Sequence, residues 1–358
     1  MTLQSSGPID FGQVNVELGL SINAQISFND TMSRLLSKIP SGAVSMSNFY
    51  GRTRYVKIAT KGYTMGGVAA TYVATTDKIT YTTDTTIAQT TGNLSTIRGW
   101  LVGVSADTKG YVMGGNSGAR VATTDKITYS TDTTVACTTG NLPQTRQSGA
   151  GVSSDTKGYA MGGWTGAVVS TTDRITYSTD TTVACTTGNL SQERSGESGI
   201  SADTKGYAMG GNSGAAVSTT DKIAYSTDTT VACTTGNLSQ ARYSGAGVSA
   251  DTKGYAMGGA SSSINLSTTD KITYSTDTTV ACTTGNLSQA RNGGSGISAD
   301  TKGYAMGGST GGVRVVTTDK ITYSTDTTVA QTTGNLSQER YGASGVSDFN
   351  QSLKIVYS

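Results

Sequence analysis

The chain of 358 residues contains no histidine. That removes the commonest general base, the usual zinc ligand and the imidazole of a serine triad, so neither a zinc hydrolase nor a triad enzyme has its central residue. Charge is scarce too: Asp, Glu, Lys and Arg make up 14% of the residues, 26 basic against 24 acidic, for a net charge of +2. The basic residues are scattered singly, giving neither a stripe for nucleic acid nor a polybasic patch for a lipid surface. No run approaches the ~18 apolar residues of a membrane span, and the opening MTLQSSGPID lacks the basic and apolar regions of a secretory signal. No nucleic-acid partner and no membrane insertion are expected, and synthesis is expected in the cytoplasm. The 4 cysteines, Cys137, Cys185, Cys233 and Cys282, form no CxxC; each stands in the phrase TVACTTGN, where the outermost copies carry Gln89 and Gln331. Equivalent positions on different units lie beyond the ~7 Å between Cα atoms that a disulfide tolerates, so these residues are expected to pack, not to bind metal or shuttle electrons. No cofactor and no metal site is expected.

What the chain has in quantity is Gly, at 47 residues, with Thr and Ser, a mixture that favours strands and tight turns over helices. The phrase GYxMGG begins at Gly62, Gly110, Gly158, Gly206, Gly254 and Gly303, with spacings of 48, 48, 48, 48 and 49 residues. That period suits propeller blades. Each unit reads as four short strands in chain order: A (GAGVS), B (GYAMGG), C (DKITYST) and D (TTVACTTGN). The A–B turn ADTKG ends on a Gly expected to take the left-handed backbone of a bulged hairpin, and in the C–D turn STDTT the Asp and Thr side chains are expected to bond the turn's own backbone. Tyr207 and Met209 on B, and Ile223 and Tyr225 on C, show the period of two of a strand. A helical solenoid would need apolar residues at three- and four-residue spacing, which these units lack.

Counting elements predicts how the array ends. B, C and D each occur six times, and A-type phrases follow Arg98, Arg146, Arg194, Arg242, Arg291 and Arg340. If the last, RYGASGVS, becomes the inner strand of the blade begun at Gly62, six four-stranded blades close with only short, protected edges. The expected fold is therefore all-β, a six-bladed β-propeller over residues 54–358 with a small N-terminal helical segment at 1–53. The leftover RYVKIA (Arg54–Ala59) and SLKIVYS (Ser352–Ser358) either pair as a strap across the seam or start a seventh, partial blade.

The non-repeating residues 1–53 suggest two short helices, PIDFGQVNVELG and FNDTMSRLLSKIPSG, the second capped by Asp30 with an apolar face of Met32, Leu35 and Leu36. SMSNFYG follows as a capped turn. A unit so small is stable only when docked.

The Gly-Gly doublet ending B, the Tyr before it and the later Leu and Arg resemble the kelch-type β-propeller pattern, although Val and Cys stand in the fourth strand where kelch repeats usually carry Trp. LQSSGPIDFGQVNVELG and ISFNDTMSRLLSKIPSGAVSMSNFYG resemble the opening module of virion and tail structural proteins of marine bacteriophages, especially those of cyanobacteria. That resemblance implies an attachment module joining residues 1–53 to other virion or tail proteins. Propeller enzymes offer two alternatives: a copper centre of the galactose-oxidase kind lacks its imidazoles here, and SADTKG (Ser201–Gly206) departs from the sialidase Asp-box in length and in the missing Thr-Trp. No catalytic residue is expected.

Comparing the copies shows where change is tolerated. The A–B and C–D turns scarcely vary, whereas the B–C loop and the residues after each D–A Arg do, and in an up-and-down blade both emerge on the same face. The candidate binding residues on that face are Trp100, Arg120, Gln147, Trp164, Tyr243, Asn292, Arg314 and Tyr341, an amphipathic set suited to recognition. The repeated Arg is expected to pair with the Asp that opens strand C, such as Asp125 or Asp173. Together these readings predict a non-enzymatic phage virion protein, tail-associated as fibre, appendage or baseplate, whose propeller face contacts a host-surface glycan or protein. The alternatives are a purely architectural virion spacer or decoration, or a kelch-like protein-binding scaffold.

Overall fold

Thr, Val, Ile and Tyr dominate the phrases between the glycine-rich turns, and those residues suit a pleated, half-buried surface. A computed structural model describes residues 13–15, 54–56, 59–262, 264–348 and 355–357. The chain divides into two units, Ala59–Gln351 and a second comprising Met1–Ile58 with Ser352–Ser358. In the second, residues 13–15 are helical, and Arg54–Val56 pairs antiparallel with Ile355–Tyr357 in the register Arg54↔Tyr357. The two leftover segments thus pair with each other, and neither adds to a blade. The remaining helix expectations for residues 1–53, including the Asp30 cap, lie outside the described residues.

Ala59–Gln351 is a six-bladed β-propeller of four-stranded antiparallel sheets. Blade 2 is representative, with A at Val102–Ser105, B at Lys109–Met113, C at Thr124–Thr128 and D at Thr133–Ala136. Strand D is shorter than the sequence suggests, because Thr138–Gly140 leaves it as a 3-10 turn that brings Asn141 back to accept from the Thr124 amide. Blade 1 closes the ring: its inner strand, Ser344–Ser347, comes from the C-terminal end and pairs with Lys61–Met65 in the register Gly62↔Ser347.

Neighbouring inner strands approach one another so closely that one position in each admits no side chain. A Cβ on Gly151 would lie 2.0 Å from the Gly103 carbonyl oxygen, and the same clash recurs at Gly103, Gly199, Gly247, Gly296 and Gly345. Only Gly permits that approach. One turn further along, serine hydroxyls bridge the strands: the Ser105, Ser153 and Ser201 amides each donate to the Ser Oγ of the next blade at 2.9 Å. The Gly of the A–B turn is not left-handed as the sequence suggests. Gly206 is paired within strand B, and a Cβ there would meet Tyr225 Oη and Val152 Cβ at 2.8 Å. It is required by close packing, not by turn geometry.

Each blade grips the next through the C–D turn. Asp132, held at φ 55°, presents its carboxylate to the preceding blade, where it accepts from Lys61 Nζ (2.8 Å), Lys78 Nζ (2.6 Å) and Tyr63 Oη (2.5 Å). The expectation that this Asp bonds its own turn is corrected, since the neighbouring cations compete better for a carboxylate than local amides do. Five sister sites repeat the arrangement at Asp180, Asp228, Asp277, Asp326 and Asp84, the last joining blade 6 to blade 1. The same Tyr63 stacks on Tyr129 of the next blade at 5.7 Å, as do five sister pairs. On the opposite rim the expected Arg–Asp pairs form, fully buried: Arg98–Asp125, Arg146–Asp173, Arg194–Asp221, Arg242–Asp270, Arg291–Asp319 and, across the seam, Arg340–Asp77, all at 2.6–2.8 Å. Each staples a D–A connection to strand C of the blade it enters.

The seam lacks a covalent A–B turn, and one carboxylate replaces it. Asp348, standing where sister blades carry Ala or Ser, accepts from the Thr60 amide (3.0 Å), the Thr60 hydroxyl (2.6 Å) and the Lys61 amide (3.1 Å). Asp348→Ala should therefore cost about 1–3 kcal/mol in urea denaturation, whereas Ser154→Ala in the covalent turn of blade 3 should cost less. Equal costs would show that the clasp does not hold the ring.

The grip carboxylates also set the acid limit. Burial alone would raise Asp132, but hydrogen bonds from Lys61, Lys78 and Tyr63 outweigh it and bring the group from 3.8 to about 2, as their sisters do at Asp180, Asp277 and Asp326. With the folded value below the unfolded one, this stabilisation is present above about pH 4 and is lost as pH falls through about 2. The melting temperature should drop steeply across that window, and Asp132→Asn should shrink the drop. An unchanged acid profile in that variant would exclude these pairs as its cause.

Candidate functional site

The two variable segments of every blade are bonded side by side. The residue after each D–A Arg pairs with the residue after the Gly-Gly doublet: Gly99↔Asn116, Gln147↔Trp164, Ser195↔Asn212, Tyr243↔Ala260, Asn292↔Ser309 and Tyr341↔Val68. The doublet makes this possible by turning the chain through two positive-φ residues, as at Gly162 (63°) and Gly163 (105°). All the variable positions therefore share one face, as the order of connections predicts.

At the centre of that face the next residue of each blade joins a closed ring of backbone hydrogen bonds. Trp100 N–H donates to Gly342, Gly342 to Gly293, Gly293 to Ser244, Ser244 to Gly196, Gly196 to Ser148 and Ser148 to Trp100, at 2.6–2.8 Å. All six residues are left-handed, with φ between 55° and 73°. Gly and Ser fill five of these places, and Trp100 is the one bulky side chain. A large residue held there stores roughly 1–3 kcal/mol of strain. Its indole lies over Gly342, where a Cβ would come within 2.9 Å of Cδ2, and meets Tyr341 edge-on at 5.0 Å. The Arg314 guanidinium lies 5.8 Å from the Tyr341 ring centroid.

Two adjoining pockets open on this face. The larger, about 770 Å³, is walled by Trp100, Gln147, Trp164, Asn212 and Tyr243. The smaller, about 410 Å³, is walled by Trp100, Tyr243, Asn265, Asn292, Arg314 and Tyr341. Trp100 and Tyr243 belong to both. Seven of the eight residues expected from the sequence are thus brought together, while the eighth, Arg120, is exposed on the blade 2 loop and lines neither pocket. Polar side chains set the walls: Asn116 Nδ2 donates to Gln147 Oε1 at 2.7 Å, Tyr243 Oη to the Ser262 carbonyl at 2.9 Å and Asn265 Nδ2 to the Ser309 carbonyl at 2.9 Å. The one-residue insertions of blades 5 and 6 fold into small hairpins, Ala260–Ser261 with Ile264–Asn265 and Ser309–Thr310 with Val313–Arg314, and these raise the wall of the smaller pocket. Arg314 is the one ionisable acid or base among the lining residues of the two pockets apart from tyrosine hydroxyls. Among the described residues no group of three or more Cys, Asp or Glu could hold a metal ion.

Sequence reasoning missed Asn212, Asn265 and, beneath the face, Glu197. Asn212 had a signal in its repeated place beside Gly-Gly, but Glu197 is a singular departure where sister blades carry Leu, Gly or Ala. Its side chain is fully buried, its oxygens find no hydrogen-bond partner, and its nearest cation is Arg194 at 4.0 Å. Burial pushes its carboxyl up from 4.5 to about 8, against the pull of Arg194. No protein-family model matches the chain, and no curated protein is significantly similar to it.

Between about pH 4.5 and 8 the unfolded chain ionises at Glu197 while the folded chain keeps the proton, so stability falls as pH rises. Glu197→Leu, the residue that blade 2 uses at Leu101, should be more stable than the parent, and its advantage should grow from about pH 5 to about pH 8. An advantage independent of pH would show that the carboxyl is already ionised in the fold.

Proposed function

We propose that this is a non-enzymatic bacteriophage virion protein, tail-associated, whose propeller presents its variable face to the host surface. The observation that carries the reading is that near-identical repeats diverge most in two connections on one face, and residues of those connections wall two joined pockets. Loops drift freely, but drift alone does not favour a Trp held at φ 60° where sister blades use Ser or Gly. Trp100, Trp164, Tyr243 and Tyr341 supply flat, amphipathic contact area, and the asparagines and serines supply adaptable hydrogen bonds. The pockets contain no carboxylate or amine to serve as a general base, which favours binding over turnover. The resemblance of residues 1–53 to phage attachment modules supports their docking on other virion or tail proteins, leaving the propeller free to recognise.

The test uses residues that sister blades already place at the same positions. The triple variant Trp100→Gly, Trp164→Asn and Tyr243→Ser should keep its melting temperature within a few degrees. Buried aromatics in recognition sites contribute about 1 kcal/mol or more each, so binding of the full chain to intact marine cyanobacterial cells should fall roughly 100-fold. Undiminished binding by the folded variant would replace recognition with the architectural role.

A further inference from the structure

We infer that the smaller pocket, between the loops of blades 5, 6 and 1, is a saccharide subsite selective for an acidic sugar, with Arg314 taking its carboxylate or sulfate. This deepens the recognition reading and rests on it. The pocket joins two features that match such a ligand. One is an aromatic corner: Trp100 and Tyr341 meet at 87°, so one ring offers a face and the other an edge to a flat, half-apolar ring. The other is an unneutralised cation. Arg314 has no carboxylate within ion-pair distance among the described residues, and its Nε is buried without a hydrogen-bond partner.

Position and rigidity distinguish this Arg from a surface charge. The Arg of each D–A connection and Arg174 are locked to an Asp, and the lysines that open strand B are locked to the C–D carboxylates, whereas Arg120, the counterpart in the blade 2 loop, is exposed and lines neither pocket. Arg314 is instead fixed by a hairpin, paired opposite Ser309, with its guanidinium against the Tyr341 ring. No Asp or Glu lines either pocket, so nothing on the protein competes for the guanidinium. Its planar fork suits two parallel hydrogen bonds to a carboxylate or sulfate. The Asn292 amide beside it is half-buried and available to sugar hydroxyls. A volume of about 410 Å³ admits a short oligosaccharide end, and no larger body. The cation is half-buried in the pocket wall with its Nε sealed from solvent, a setting that suits a small anionic group.

Calorimetric titration of the full chain tests this with matched probes: a galacturonate oligomer against its carboxyl-reduced neutral form, and a sulfated galactan oligomer against its desulfated form. At least one charged probe should bind tenfold or more tightly than its neutral partner, and which pair discriminates identifies the anion. Arg314→Gln should bring charged and neutral probes to equal affinity without lowering the melting temperature, and Arg314→Lys should retain part of the preference. Equal affinity within both pairs, or a preference that survives Arg314→Gln, overturns the inference. If no saccharide binds yet cells are still bound and the triple variant still loses them, the ligand is a protein and this inference alone fails. Failure of the underlying reading looks different, because parent and triple variant would then bind cells alike.

Discussion

Six inner strands stand side by side around the axis with no room for a methyl group between neighbours. A Cβ on any of the six inner-strand glycines would lie 2.0–2.4 Å from its neighbour's carbonyl oxygen, so the spacing of the inner strands is set by backbone contact, and every other element is placed relative to them. The serine bridges, the stacked tyrosines and the Asp grips all follow at fixed radii from that contact. A side chain at any one of these six positions would push two blades apart and loosen all the layers outside.

The two faces of the disc are consequently unlike. One is tied by six exposed-edge clusters in which a single Asp gathers two cations and a Tyr, and those turns leave no freedom for change. On the other, the charges are sunk as buried Arg–Asp pairs below the surface. Such pairs are costly to break but add little net stability over a packed apolar contact, and their position leaves the loops above them uncommitted. Variation is tolerated there because the frame beneath is already complete. The closed ring of backbone hydrogen bonds at the channel mouth then gives those loops a rigid floor.

Much of this was legible from the residues. The 48-residue period, the four strand phrases, the closing role of the last A phrase and the pairing of Arg with the strand C Asp are repeated features, and repetition amplifies a weak local signal. Features that occur once had no such amplification. Asp348 reads as an ordinary loop acid until the chain break at the seam is seen to need a substitute for a turn. Glu197 reads as one more variable residue, since its position is Leu101 in blade 2, Gly or Ala elsewhere, and nothing local marks it as buried.

By itself the sequence determined what each unit is, because strand periodicity, turn residues and glycine are local properties that a short window contains. Six complete units could also be counted there, but whether the leftover ends form a strap or start a seventh blade was decided by the pairing of Arg54–Val56 with Ile355–Tyr357. The tertiary structure decided which residues touch across blades. Tyr63 and Asp132 are 69 residues apart and share no local pattern; only the angle between neighbouring blades brings the turn of one against the strands of the other. The same angle gathers Trp100, Tyr243 and Arg314, from three different blades, around one pocket. Spacing along the chain carries no information about that angle, which is set by side-chain volume between sheets.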